Sequence, residues 1–218
     1  MTRKGFIFDL DGVIVDTAKY HYLAWKKLAE SIGISFTEED NEQLKGVSRV
    51  RSLEKILSWG NKELQEDKFM ELLAVKNNDY LEYIEKMDES ELLPDVKRVL
   101  HFLLDSGQPV ALGSASKNAR KILREVHLYA AFEAIVDGND VTNAKPDPEV
   151  FLRAAEQIGV NPADAIVFED SLAGVQAANI AGMTSIGIGN PKILHEADYV
   201  FSDFTEMSNE FLHKLIHQ

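Results

Sequence analysis

The sequence predicts an α/β fold, a doubly wound and mainly parallel sheet with an all-helical unit inserted after the first strand. Three observations predict it. Past Pro94, short apolar runs bounded by turn-forming residues alternate with helical stretches, the pattern of parallel strands joined by right-handed crossovers. Near the start, Phe6 to Phe8 is one more such run, too short to stand outside a sheet. Between these regions, from Thr17 to about Met87, apolar residues recur at helical spacing almost throughout.

Taken in order, the first strand lies between Gly5 and the Asp11-Gly12 turn and ends in Asp9. A helix then carries Trp25, Leu28, Ala29 and Ile32 at spacings of three and four and stops at Gly33. Others are expected around Leu53 to Trp59 and Lys68 to Ile84. Pro109 to Gly113 reads as a strand, Asn118 to Val126 as a helix and Ala134 to Val136 as a strand. Pro148 to Ile158 is a helix, Ala165 to Phe168 a strand, Ala173 to Ala181 a helix and Thr184 to Ile186 a strand, with Tyr199 to Phe201 as a last edge candidate. The expected division is therefore a Rossmann-like catalytic core, residues 1–14 and 93–218, and a helical cap domain, residues 15–92.

Composition excludes several classes. A chain of 218 residues, 45% hydrophobic, can bury one or two compact cores, and no apolar run approaches a membrane span. Met1-Thr2-Arg3-Lys4 runs straight into a short apolar stretch ending at Asp9, which does not fit a secretory leader, so a cytoplasmic protein is expected. The absence of cysteine removes disulfides, thiolate metal sites and thiol catalysis. A net charge of -13 argues against nucleic acid or an anionic membrane as partner, so an anionic ligand must be met by cations gathered locally. Nothing in the pattern argues for a dimer, and a monomer is the default.

Ligands of open α/β sheets bind beyond the carboxyl ends of the strands. Those ends carry Asp9-Leu10-Asp11-Gly12, Ser114-Ala115-Ser116-Lys117-Asn118, Lys145-Pro146-Asp147 and Glu169-Asp170-Ser171. Each segment alone resembles a turn. Together they bring carboxylates for a hard divalent cation, and a lysine and hydroxyls for phosphoryl oxygens, to one crevice.

This ordered set resembles the haloacid dehalogenase superfamily over essentially the whole chain. Within it, Asp16-Thr17-Ala18, His21 with Trp25, Lys45 to Arg49, Ser52-Leu53 and Ser114 to Asn118 resemble the β-phosphoglucomutase family. The resemblance implies interconversion of β-D-glucose 1-phosphate and glucose 6-phosphate through β-glucose 1,6-bisphosphate, with one magnesium ion per site. Asp9 is the expected nucleophile, forming an aspartyl phosphate, and Asp11 the general acid and base. Magnesium is expected on the carboxylates of Asp9 and Asp170, the main-chain carbonyl of Asp11, and Glu169 either directly or through water. Lys145 and Ser114 would contact the phosphoryl group in transit, with Ala115 adding a backbone amide. On the cap, Lys45, Gly46, Val47, Ser48, Arg49 and Ser52 would meet the sugar and its distal phosphate, facing Ser116, Lys117 and Asn118. Lys76 is either a cap-side contact or a solvated lysine. His21 either positions Asp11 and the cap or simply packs, and Thr17 caps its helix or bonds Asp11. A magnesium-dependent sugar phosphatase and a non-catalytic sugar-phosphate sensor are the alternatives to a mutase.

Overall fold

A computed structural model describes residues 3–217; Met1, Thr2 and Gln218, at the limits of the expected core, lie outside them. Six parallel strands form one sheet: β1 (Gly5–Phe8), β2 (Val110–Gly113), β3 (Ala134–Val136), β4 (Ala165–Glu169), β5 (Thr184–Ile188) and β6 (Tyr199–Phe201). Their order is β3-β2-β1-β4-β5-β6, and every pairing is parallel. Strand order reverses at β1, so the crevice beyond the carboxyl ends of β1 and β4 is the switch point of the sheet. The expected fold class is the observed one.

The central strands are apolar throughout because both faces are covered. Phe6 and Phe8 point to one side with Leu112, Ile166 and Phe168, against α5 (Val96–Asp105), α6 (Ala119–Glu125) and α9 (Asn209–His217). Ile7 points to the other with Ala111 and Val167, against α7 (Glu149–Gln157) and α8 (Leu172–Ile180). Helix α5 is absent from the expectations above. Its spacing is nevertheless clear, with Val96, Val99, Leu100 and Leu103 all buried.

Between β1 and α5 the chain is helical: α1 (Ala18–Ser31), α2 (Glu38–Glu42), α3 (Arg49–Trp59) and α4 (Glu66–Ile84). The short α2 is another element the periodicity misses, held by a reciprocal cap in which Thr37 accepts from the Asp40 amide and Asp40 from that of Thr37. Helices α1, α3 and α4 share an apolar cluster around Trp25, Leu28, Leu53, Ile56 and Leu72. The chain leaves the sheet and returns through two adjacent antiparallel segments. Val15 bridges Leu92, the Asp16 amide donates to the Glu91 carbonyl at 2.9 Å, and the Leu93 amide to the Ile14 carbonyl at 3.0 Å.

Phe8 sits at the centre of the larger cluster, stacked on Phe168 at 4.4 Å between ring centroids and close to Phe132 and Phe204. Phe8→Ala is expected to cost about 3–5 kcal/mol of stability, through lost burial and an unfilled cavity. Urea denaturation should show this as a lower midpoint at an unchanged slope.

Candidate active site

Strand pairing places the first two acids. Phe8 lies opposite Phe168, so Asp9 and Glu169 leave adjacent strand ends side by side. Lys145, from the loop between β3 and α7, enters between them and donates to Asp9 Oδ1 at 2.5 Å and Glu169 Oε1 at 2.6 Å. Asp9, Lys145 and Glu169 are all buried, Glu169 completely. Burial opposes the Lys145 ammonium, but Asp9 and Glu169 carry its pKa above the ordinary lysine value. Burial also pushes the Asp9 carboxyl up to about 7, against the attraction of Lys145. Ser114, 1% exposed at the end of β2, completes this wall; its Oγ accepts the Ser116 amide at 3.1 Å.

Asp11 is held from the helical side. Thr17 occupies the N-cap position of α1 but makes no side-chain cap bond there; its hydroxyl donates to Asp11 Oδ1 instead. His21 Nε2 lies 3.9 Å from the same oxygen, and His21 Nδ1 lies 2.9 Å from Lys76 Nζ. The Lys76 ammonium stands over the rings of Trp25 and Tyr80, at 4.7 and 4.6 Å from their centroids. Lys76 is buried, not solvated. Burial and the nearby Arg49 lower its pKa to about 7. Enclosure, Lys76 and Arg49 hold His21 well below the usual imidazole value, so it is neutral. Enclosure in the crevice raises the Asp11 carboxyl, opposed by the Thr17 bond.

Asp170 closes the third side. Burial and Glu169 raise its carboxyl well above the ordinary range, with Lys45 as the opposing cation. Gly12 has φ +78°, and a Cβ on it would fall 2.1 Å from Asp170 Oδ2, so only glycine lets the Asp11-Gly12 loop close on that carboxylate. Asp9, Asp170 and the main-chain carbonyl of Asp11 fit a small hard divalent cation, because Lys145 and the more distant Lys45 leave the three carboxylates of Asp9, Glu169 and Asp170 with excess negative charge. Among the described residues no three acidic or imidazole side chains form a cage by themselves, so such an ion would fill its remaining positions with water and phosphate oxygen. Both oxygens of Glu169 are engaged: Oε1 takes Lys145, and Oε2 accepts the Ser171 amide at 2.7 Å and its hydroxyl at 2.9 Å. Oε1 accepts only the Lys145 bond, which leaves it a lone pair for a metal or a metal-bound water.

The remaining expected contacts lie on the helical insertion and on the segment that follows β2. Lys45 reaches Asp170 Oδ2 at 3.6 Å and Glu42 at 3.1 Å, and Gly46 packs so closely on Ser171 that a Cβ would meet its Oγ at 2.5 Å. Ser48 caps α3 through the Arg51 amide, and Ser52 is buried on the same helix. Val47 is half-buried beside Gly46. Arg49 and Lys117 have no carboxylate partner among the described residues. Asn118 donates from Nδ2 to Asn77 Oδ1 on α4 at 3.0 Å. The Ser116 carbonyl accepts the Gly138 amide, and that of Lys117 accepts Asn139 Nδ2. Gly138 lies against Ala115, whose carbonyl a Cβ there would meet at 2.4 Å. Gly174, Asn77 and Tyr80 are site neighbours that sequence reasoning does not single out, whereas Ser171 stands in the Glu169-Asp170-Ser171 segment read from the sequence.

A parallel sheet that gathers buried carboxylates, one lysine and a hydroxyl at its switch point, under a helical roof, defines an α/β phosphoryl-transfer enzyme. The chain belongs to the haloacid dehalogenase-like hydrolase family, whose model matches residues 3–182. It is 44% identical to a β-phosphoglucomutase of Bacillus subtilis over 97% of this chain and 94% of that protein. It is 34% identical to a phosphorylated carbohydrates phosphatase of Thermotoga maritima, over 84% of this chain and 83% of that one. The solved structure of a β-phosphoglucomutase from Clostridium difficile superposes with a TM-score of 0.94 at 39% identity, covering 100% of this chain and 98% of the other.

Gly12→Ala should displace Asp170 and weaken binding of Mn2+, used as a paramagnetic stand-in for magnesium, by about tenfold or more. An electron paramagnetic resonance titration of free Mn2+ measures it; wild-type affinity in the variant would contradict this account of the loop.

Proposed function

We propose that this chain is a β-phosphoglucomutase, interconverting β-D-glucose 1-phosphate and glucose 6-phosphate through β-glucose 1,6-bisphosphate. The observation that carries the reading is the pair Arg49 and Lys117. Neither cation has a carboxylate partner among the described residues: Arg49 begins α3 near His21 and Lys76, and Lys117 follows Ser114 to Ser116 in the segment after β2. A substrate with phosphate at both ends needs two such places. The nearly full-length similarity to a β-phosphoglucomutase supports the same reading.

In this mechanism Asp9 attacks phosphorus through Oδ2, the oxygen that Lys145 does not hold. A bond forms between that oxygen and phosphorus as the sugar–oxygen bond to phosphorus breaks, giving an aspartyl phosphate. Asp11, its carboxyl raised by enclosure, delivers a proton to the departing sugar oxygen and recovers it from the hydroxyl attacking in the second half reaction. Thr17 and the neutral His21 orient Asp11. Lys145 and Ser114 offset charge on the transferring oxygens, and the Ala115 amide adds to them. Asp9, Asp170 and the Asp11 carbonyl would hold magnesium, with Glu169 directly or through water, and the ion would supply charge neutralisation at the reacting phosphoryl group. At the far end Arg49 and Lys117, with Ser116 and Asn118, bind the second phosphate, while Lys45, Gly46, Val47, Ser48, Ser52 and Lys76 shape the cap side.

Residues 15–92 then act as a cap and residues 1–14 and 93–218 as the catalytic core. Gly46 on Ser171 and Asn77 on Asn118 bring the two together across the crevice, which excludes water from the aspartyl phosphate. The enzyme works in the cytoplasm, as a monomer. No helix among the described residues is long and apolar enough to cross a membrane.

Purified protein given magnesium, β-glucose 1-phosphate and catalytic bisphosphate should produce glucose 6-phosphate, read by coupled dehydrogenase assay, with little free phosphate. Phosphate as the main product would instead establish a phosphatase, and no turnover of any sugar phosphate a sensor. Asp9→Asn should abolish turnover, and Asp11→Asn should slow it on the order of a hundredfold or more. Removing the metal with a chelator should abolish activity, and added magnesium should restore it.

A further inference from the structure

The geometry points to Asn77 as a positioning residue that aims the Asn118 amide at the distal phosphate and ties that aim to the placement of α4 over the crevice. This rests on the mutase reading above, which places Asn118 at the second phosphate. Asn118 occupies the N-cap position of α6, where an asparagine normally turns its oxygen inward to accept a helix amide. Here it makes no such bond. Its Nδ2 instead donates across the crevice to Asn77 Oδ1 at 3.0 Å.

That choice has a chemical consequence. A side-chain amide presents an acceptor at one end and two N–H donors at the other, and only the donor end suits a phosphate. With one N–H held by Asn77, the second N–H of the same nitrogen remains for the ligand, and the carbonyl end is kept from taking its place. The backbone leading to Asn118 is anchored independently. The Gly138 amide holds the Ser116 carbonyl at 3.2 Å, and Asn139 Nδ2 holds that of Lys117 at 2.9 Å. The loop is fixed from the core, and the rotation of the Asn118 amide is fixed from α4.

Asn77 is half-buried and directly follows Lys76, whose ammonium lies 2.9 Å from His21. One helix thus carries the contact to the residues around Asp11 and the contact that orients the phosphate donor. Three residues past Asn118 and eight past Asn77, Lys121 on α6 reaches the carboxylate of Glu85, at the end of α4, at 2.8 Å, an exposed pair that follows the same seam.

The test compares wild type, Asn77→Ala, Asn118→Ala and the double variant with two substrates: β-glucose 1-phosphate with catalytic bisphosphate, and acetyl phosphate, which has no second phosphate. Asn77→Ala should raise KM for the sugar phosphate about tenfold, the scale of one charge-assisted hydrogen bond. It should also raise the share of phosphoryl groups lost to water, and cost acetyl phosphate turnover less than it costs sugar phosphate turnover. In the Asn118→Ala background the same substitution should change KM less than twofold, because the group it aims is gone. An unchanged KM, an equal loss on both substrates, or losses that add in the double variant would each overturn the inference. Failure of the mutase reading itself would show separately, in a wild-type enzyme that forms no glucose 6-phosphate.

Discussion

Two carboxylates at the ends of neighbouring strands are the constraint around which this structure is arranged. The register that pairs Phe8 with Phe168 makes Asp9 and Glu169 leave the sheet together, and both are buried. Unanswered, two such charges would repel each other and carry the full cost of lost hydration. Lys145 answers them by bonding one oxygen of each. Losing one member of a buried ionic group typically costs about 3–5 kcal/mol, because its partners are left charged and dry. The second oxygen of Glu169 is fixed by Ser171 at the start of α8, and that helix approaches so closely that a Cβ on Gly174 would fall 1.9 Å from Glu169 Oε1. Strand register, a loop lysine and the packing of α8 are therefore one requirement.

The same requirement gives the acid excess its meaning. Spread over the surface, a charge of -13 would repel phosphates. Part of it is concentrated in Asp9, Glu169 and Asp170, where Lys145 and the more distant Lys45 do not balance three acids, and burial lifts two of the carboxyls toward neutrality. A divalent cation satisfies that imbalance and draws a phosphoryl group to it. On the mutase reading the logic is inverted for the second phosphate: Arg49 and Lys117 have no carboxylate partner among the described residues, so their charge stays available to an anion.

The sheet was legible in the sequence because strands covered on both faces are continuous short apolar runs, and the turn residues after them are also the chemical ones. Asp9, Ser114, Lys145 and Asp170 could be picked out for that reason, being local to strand ends. Two helices were harder for opposite reasons. Helix α2 has five residues and no apolar period, only a capping box, whereas α5 has a clear stripe that adjoins Pro94 and is easily read as part of the linker. The groups that hold the site were not legible because they depend on contacts between distant segments. Asn77 meets Asn118 forty-one positions away, and the absent Cβ of Gly174 matters only because of Glu169. Lys76 shows the limit most plainly. In sequence it is an ordinary helix lysine, but in space it is enclosed by Trp25, Tyr80 and His21.

The path of the chain between the sheet and its helical roof links the position of the roof to the chemistry. The roof is joined to the sheet by two short segments, Ile14 to Asp16 and Glu91 to Leu93, which run side by side and bond to one another. A neck of this shape restrains sliding and leaves rotation as the soft direction of movement. Thr17 is the first residue past the neck, and His21 lies one turn into α1. Thr17 bonds Asp11 and His21 stands 3.9 Å from it, while Asp11 itself follows the end of β1 on the sheet side of the neck. Rotation about the neck would therefore carry the two orienting groups away from the acid they orient. The same movement would part Gly46 from Ser171 and Asn77 from Asn118, admitting water. On the proposed mechanism, proton transfer by Asp11 and exclusion of water therefore require the same arrangement of the chain, so an open crevice would lack both the dry environment and the oriented acid that sugar-to-sugar transfer needs.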